Sequence, residues 1–299
     1  MATGISNFLS PQELHQLGRL TIQSRYIVEG TLSGRHRSHL KGASSEFADH
    51  RAYVPGDDPK HLDWKVLGRT DRYYVRRYED ETNLRVYLVI DRSASMGYTS
   101  GPMMKYRYAC QLAAAIGYVV VKVRDSVGLY LYSNRIDRQA GARNSFAHLN
   151  NLLKSLTQNQ PESTTQTAKT LHQIAEAVRR RALIVLFSDL LDDPPEIIRA
   201  LAHFRKQHHD VIVFHILDPA ELDFTFKQGA QFVDLETGET IVADPRGMAD
   251  AYRKVFGEFL EQYRQPCAEM NIDYRLVRTD QDAAMFVRSF LEERKRLSK

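Results

Sequence analysis

Three runs of this chain, "VYLVI" (86–90), "ALIVLFS" (182–188) and "VIVFHIL" (211–217), are almost continuously apolar and rich in β-branched residues. They are short for helices and lack the alternation of a strand with one wet face. They read as strands buried on both faces, which need helices above and below them. Segments of helical period do lie between them. Strands are predicted at 84–90, 127–133, 182–188, 210–217 and 272–278. Helices are predicted at about 104–124, 145–157, 166–180, 195–207, 247–265 and 281–294. This alternation predicts an α/β fold, a doubly wound and mostly parallel sheet with right-handed, Rossmann-like crossovers.

Residues 1–83 read differently. A short helix is predicted from Pro11 with Ser10 as its N-cap, followed by a stretch rich in charge and turn residues. "PGDDP" marks a turn, and "RYYVRRYE" alternates like a strand with one exposed face. The expected organisation is therefore a helix plus a smaller β-rich adjunct in 1–83, then the α/β domain in 84–299. An insertion at 219–246 interrupts that domain, with Gly229 and "ETGE" where hairpin turns belong. Because an isolated hairpin is marginal in water, the insertion is expected to pair with and pack on the adjunct.

Composition narrows the function classes. The 299 residues carry 41 basic and 37 acidic side chains, a formal net charge of +4. That excess is too small for a dedicated nucleic-acid binder. The basic ending "EERKRLSK" reads as a solvated helix terminus. Cys110 and Cys267 stand far apart without a C-x-x-C, so they read as buried reduced thiols in a reducing compartment. The N-terminus lacks the pattern of a signal peptide. The longest apolar run, Leu112 to Val121, falls well short of the roughly 20 residues that span a bilayer. A cytoplasmic protein with no membrane segment and no nucleic-acid partner is expected.

The chemistry is expected where strands end. In an open α/β sheet, ligands bind beyond the carboxyl ends of the strands. "DRSASM" follows the first apolar strand and places Asp91, Ser93 and Ser95 at every second position. "STTQT" (163–167) precedes a predicted helix, and Ser188-Asp189 follows "LIVLF". These are oxygen donors only, two carboxylates among hydroxyls. Such a set suits Mg²⁺ or Mn²⁺ and not zinc or copper.

In this spacing the chain resembles the von Willebrand factor A domains with their metal-ion-dependent adhesion site. Asp91, Ser93, Ser95, Thr165 and Asp189 match that motif. The resemblance implies that the hydroxyls bind the ion directly and the aspartates directly or through water. A partner's Asp or Glu would complete the shell. Thr164 competes with Thr165, which is preferred because "TQTAKTL" resembles the family's helix start. A wider likeness runs over roughly 30–280. "EFADHRAYVPGDDPKHLDWKVLGRTDRYYVRRYEDETN", "FSDLLDD" and "IDYRLVRTD" make the chain similar to the bacterial family called domain of unknown function 58. That resemblance implies action with a MoxR-type AAA+ ATPase.

Between residues 46 and 83, Asp57, Asp58, Asp63, Arg69 and Arg72 are candidate partner-binding residues beside the metal site. The alternative is that Asp57 and Asp58 make a turn. Trp64, the only tryptophan, is expected to anchor the β unit. The leading expectation is a non-enzymatic, metal-dependent protein–protein interaction module. The alternative is a phosphohydrolase using Asp91. Enzymes of that kind with D-x-D need a second Asp as acid/base, and Ser93 stands there. No Walker A loop or G-x-S-x-G elbow is present.

Overall fold

The computed structural model describes residues 4–18, 20, 22, 45–54, 62–80, 84–162, 166–226, 230–235, 238–243 and 245–297. These residues fall into two units, Met1–Leu32 with Leu84–Lys299, and Ser33–Asn83.

The larger unit is α/β. Its sheet holds β3 (Arg85–Asp91), β4 (Ser126–Tyr132), β5 (Ile136–Arg143), β6 (Leu183–Ser188), β7 (Asp210–Leu217) and β10 (Asp273–Arg278), in the order β10-β7-β6-β3-β4-β5. Every pairing is parallel except β4 with β5. From β3 the chain builds outward through β4 and β5, then crosses back to build β6, β7 and β10 on the other side. The strand order thus reverses between β3 and β6, which is the topological switch point.

The period-2 alternation of these strands fills two cores. Val86, Leu88 and Ile90 join one, and Val89 joins the other. On the first face pack α1 (Pro11–Leu17), α3 (Lys105–Lys122), α4 (Phe146–Gln158) and α9 (Ala283–Leu297). On the second pack α5 (Thr167–Ala177), α6 (Pro194–Lys206) and α8 (Pro245–Glu269). No helix among the described residues is long and apolar enough to cross a membrane.

Three expectations are corrected. The N-terminal helix, capped as expected by Ser10, groups with the α/β unit and not with the adjunct. Its Leu17 joins the first core, with Leu9 and Ile22 from its flanks. β5 was not anticipated. An exposed edge strand reading "IDRQAGAR" has no apolar alternation to announce it.

The third correction concerns the strand pairing of the insertion. Its strands β8 (Ala230–Val233) and β9 (Thr240–Ala243) form a two-stranded sheet of their own, separate from the adjunct's sheet. Gly238, at φ +74°, supplies the left-handed turn residue. A short helix α7 (Pro219–Asp223) leads into the hairpin. The support a lone hairpin lacks comes from rings. Phe232 stacks on Phe224, which stacks on Tyr252 of α8 at 4.3 Å between centroids. The series continues along α8 through Phe256 and Phe259 to Tyr263.

The smaller unit pairs β1 (Ser45–Ala52) with β2 (Tyr74–Asp80), antiparallel, with α2 (Trp64–Thr70) between them in sequence. Among its described residues Leu62 and Val75 are the buried apolar side chains, whereas Trp64 is 63% exposed. Trp64 is not an anchor because it opens α2, where its side chain turns to solvent.

Candidate functional site

The site is built where β3 and β6 end side by side. Asp91 is the last residue of β3 and is buried. Its Oδ1 accepts from the backbone N–H of Ser93 at 2.9 Å, which turns the chain sharply out of the sheet. Its Oδ2 accepts from Ser188 Oγ at 2.6 Å and from Tyr132 OH at 3.3 Å. Three neighbouring strands, β3, β4 and β6, therefore converge on one carboxylate. Ser93 is buried, and its Oγ lies 3.0 Å from that of Ser95.

Asp189 follows β6 and is buried. The next residue, Leu190, is held at φ +50°, a conformation disfavoured for a branched side chain. Two bonds compensate. Its N–H donates to Ser188 Oγ at 3.0 Å, and its carbonyl accepts from Tyr263 OH at 2.9 Å. That turn sets the direction in which Asp189 enters the pocket.

Thr165 and Thr164 lie outside the described residues, but the chain on either side is tied to the other two loops. Glu162 donates its N–H to the Arg92 carbonyl at 2.9 Å and pairs with the Arg92 guanidinium at 3.2 Å. On the far side, Thr167 N–H donates to Asp192 Oδ2 at 3.1 Å.

Asp91 senses Asp189. Burial first, and Asp189 second, push the Asp91 carboxyl up to about 7, against the bonds from Ser188 and Ser93. Two buried acids facing hydroxyls make a pocket that favours a cation. Among the described residues no group of three or more His, Cys, Asp or Glu side chains is placed to hold a metal ion. The donor set at the strand ends is instead half hydroxyl, which fits a hard ion with few charged ligands.

Sequence reasoning missed Lys105, which is fully buried. Its Nζ donates to Asp189 Oδ2 at 2.8 Å and to Glu221 Oε1 at 2.7 Å. A signal was present. Lys105 stands on the apolar stripe of α3 with Ala109, Leu112 and Ile116, and it occupies the first helical position, where the dipole disfavours a cation. His215 of β7 was also passed over. Burial drives it down to about 4, and its Nδ1 lies 2.7 Å from Tyr274 OH, so it stands as a neutral ring.

Ser95 opens onto a cleft of about 300 Å³ lined also by Tyr98, Leu191, Glu221, Val233, Asp234 and Leu235. Leu191, Val233 and Leu235 are exposed apolar side chains. Of the residues read as partner-binding, Asp63 is nearly buried and caps α2, accepting from Lys65 N–H at 3.0 Å and Val66 N–H at 3.3 Å. Arg69 and Arg72 are exposed, and Asp57 and Asp58 lie outside the described residues.

The fold and the place of this pocket define the class: an α/β protein with a mostly parallel sheet and a polar pocket where the strand order reverses. Within that class, the chain belongs to the family described as Protein of unknown function DUF58, which matches residues 49–265. It is 27% identical over 232 residues to the uncharacterized protein Rv1480 of Mycobacterium tuberculosis, covering 76% of this chain and 72% of that protein. The uncharacterized protein Mb1516 of Mycobacterium bovis matches to the same extent. Two of the similar solved structures serve as examples. One is an aerotolerance-related membrane protein from Bacteroides fragilis, with 14% identity, 70% of this chain and 97% of the other covered, and a TM-score of 0.46. The other is the conserved hypothetical protein BatB from Bacteroides thetaiotaomicron, with 15% identity, 72% and 98% covered, and a TM-score of 0.43.

Proposed function

We propose that this chain is a non-enzymatic, metal-dependent protein–protein interaction module of the von Willebrand factor A type. The observation that carries the reading is the convergence of Asp91, Ser93, Ser95 and Asp189 at the switch point, with the two serine hydroxyls 3.0 Å apart. Ser93 and Ser95 would hold Mg²⁺ or Mn²⁺ through their hydroxyls, with Thr165 as a further ligand. Asp91 would act directly or through water, with its oxygens also held by hydrogen bonds. A bound ion would supply the positive charge that attracts an Asp or Glu of a partner protein.

The cleft supports a protein as the ligand. Ser95 shares it with the exposed Leu191, Val233 and Leu235, so a partner segment would bury apolar contacts beside its carboxylate. A MoxR-type AAA+ ATPase, or a complex such an ATPase assembles or remodels, is the partner the family resemblance suggests. A phosphohydrolase finds less support. No acid/base side chain stands at Ser93, and both oxygens of Asp91 are engaged.

The test is partner capture from a bacterial lysate on immobilised protein, in Mg²⁺ and in EDTA, with Ser93→Ala alongside. Capture is expected in Mg²⁺ alone and is expected to vanish in the variant while its circular dichroism stays unchanged. Losing a charge-assisted contact of this kind costs about 2–5 kcal/mol, roughly a 30- to several-thousand-fold drop in affinity. Capture indifferent to both EDTA and Ser93→Ala would sink the proposal.

A further inference from the structure

We infer that Lys105 is a positioning residue of the strand-end site, a resident cation that pairs with Asp189 when the ion is absent and competes with the ion for it. The inference rests on the metal reading above. Lys105 is fully buried at the first position of α3, where the helix dipole opposes a positive charge. Only strong compensation keeps an ammonium there. It comes from Asp189 Oδ2 at 2.8 Å, Glu221 Oε1 at 2.7 Å and the Tyr98 ring, 5.8 Å from Nζ to its centroid.

The consequence follows from charge. Asp189 Oδ2 is taken by Lys105, and among the described residues Oδ1 has only a long contact of 3.5 Å from Leu191 N–H. An ion that draws on Asp189 must share the carboxylate with the ammonium or displace it. Lys105 then keeps Glu221, which opens on the cleft beside Ser95. Ion occupancy is thereby felt at the cleft wall, and the ion's affinity is held below what Asp91 and Asp189 alone would give.

Mn²⁺ binding to the full chain, measured by calorimetry at one pH, separates these effects. The double variant Lys105→Met/Glu221→Gln removes one charge of each sign, so the total is unchanged while Asp189 is freed. It is expected to bind Mn²⁺ about tenfold more tightly than wild type, because the ammonium removed bonds Asp189 directly whereas the carboxylate removed bonds the ammonium. Glu221→Gln alone leaves Lys105 with Asp189 as its carboxylate partner and is expected to bind more weakly than wild type. A merely structural Lys105 would give weaker binding in the double variant. Equal or weaker binding by a folded double variant overturns the inference while leaving the metal reading intact. If the double variant does not fold, unchanged or tighter binding by Glu221→Gln overturns it. Binding by the double variant but not by wild type supports the inference and overturns the metal reading for the free protein. Binding by neither overturns both.

Discussion

Among the described residues, Asp91 accepts hydrogen bonds from a backbone N–H and from hydroxyls, with no cation among its partners. Its carboxyl is consequently raised from the ordinary 3.8 to about 7, burial being the main cause and Asp189 the next. Between those values the folded chain keeps a proton that the unfolded chain has released. Stability from this group therefore falls as pH rises through that window and levels off above it. The effect is on the order of a few kcal/mol. Asp91→Asn removes the penalty and keeps an acceptor for Ser93, while the hydroxyls of Ser188 and Tyr132 can rotate to receive the new N–H₂. In EDTA at pH 8 the variant is expected to melt higher than wild type, with a flatter pH profile. Millimolar Mg²⁺ is expected to raise the melting temperature of wild type only. A variant that melts lower than wild type in EDTA would contradict the buried-charge argument.

Among the elements, the pair β4 and β5 is tightly constrained by one residue. Gly128 of β4 has no side chain because none fits. A Cβ there would lie 2.6 Å from Tyr87 Cε1 and 2.8 Å from the Ala140 carbonyl oxygen of β5. The ring can shift, but the paired backbone cannot shift cheaply. Gly128→Val is expected to destabilise by about 1–3 kcal/mol, although valine is the better strand former. Urea unfolding measures this, and an unchanged midpoint would show that the edge of the sheet yields. The same pair shows why an element can escape a reading of sequence. β5 is paired with β4 from Ile136 to Arg143, with two irregularities in register, so its own residues need not alternate throughout. The hairpin of β8 and β9 was read from its turn glycines, but its support was not. The rings of Phe224, Phe232 and Tyr252 are spread over nearly thirty residues and meet only through folding.

For the whole molecule, no described residue from 33–83 belongs to either hydrophobic core. Leu9, Leu17 and Ile22, by contrast, are buried in the first core. Replacing Ser33–Asn83 by a flexible Gly/Ser linker is expected to leave the α/β unit folded and still stabilised by Mg²⁺. Deleting residues 1–22 is expected to cost several kcal/mol, at about 1.5–3 kcal/mol for each large apolar side chain re-exposed. Thermal melts of the two deletions, with and without Mg²⁺, provide the comparison. Collapse of the first deletion and survival of the second would reverse this assignment of the core.

The α/β layering was legible because strands buried on both faces must be apolar throughout, and residues 86–90, 182–188 and 211–217 are. Predicted and observed strands of the sheet coincide within a residue at each end, β5 excepted. The D-x-S-x-S run and Ser188-Asp189 were legible for a similar reason: the carboxyl ends of such strands are where a doubly wound sheet puts its pocket. What the sequence could not supply was the partnering of charges across long separations. Lys105 meets Asp189 and Glu221 across 84 and 116 residues, and Ser188 meets Asp91 across 97. Local propensity does not encode such pairs. A buried ammonium reads in sequence as a flaw in an apolar stripe, and only the folded arrangement, by supplying two carboxylates within hydrogen-bond reach, makes it a part of the site.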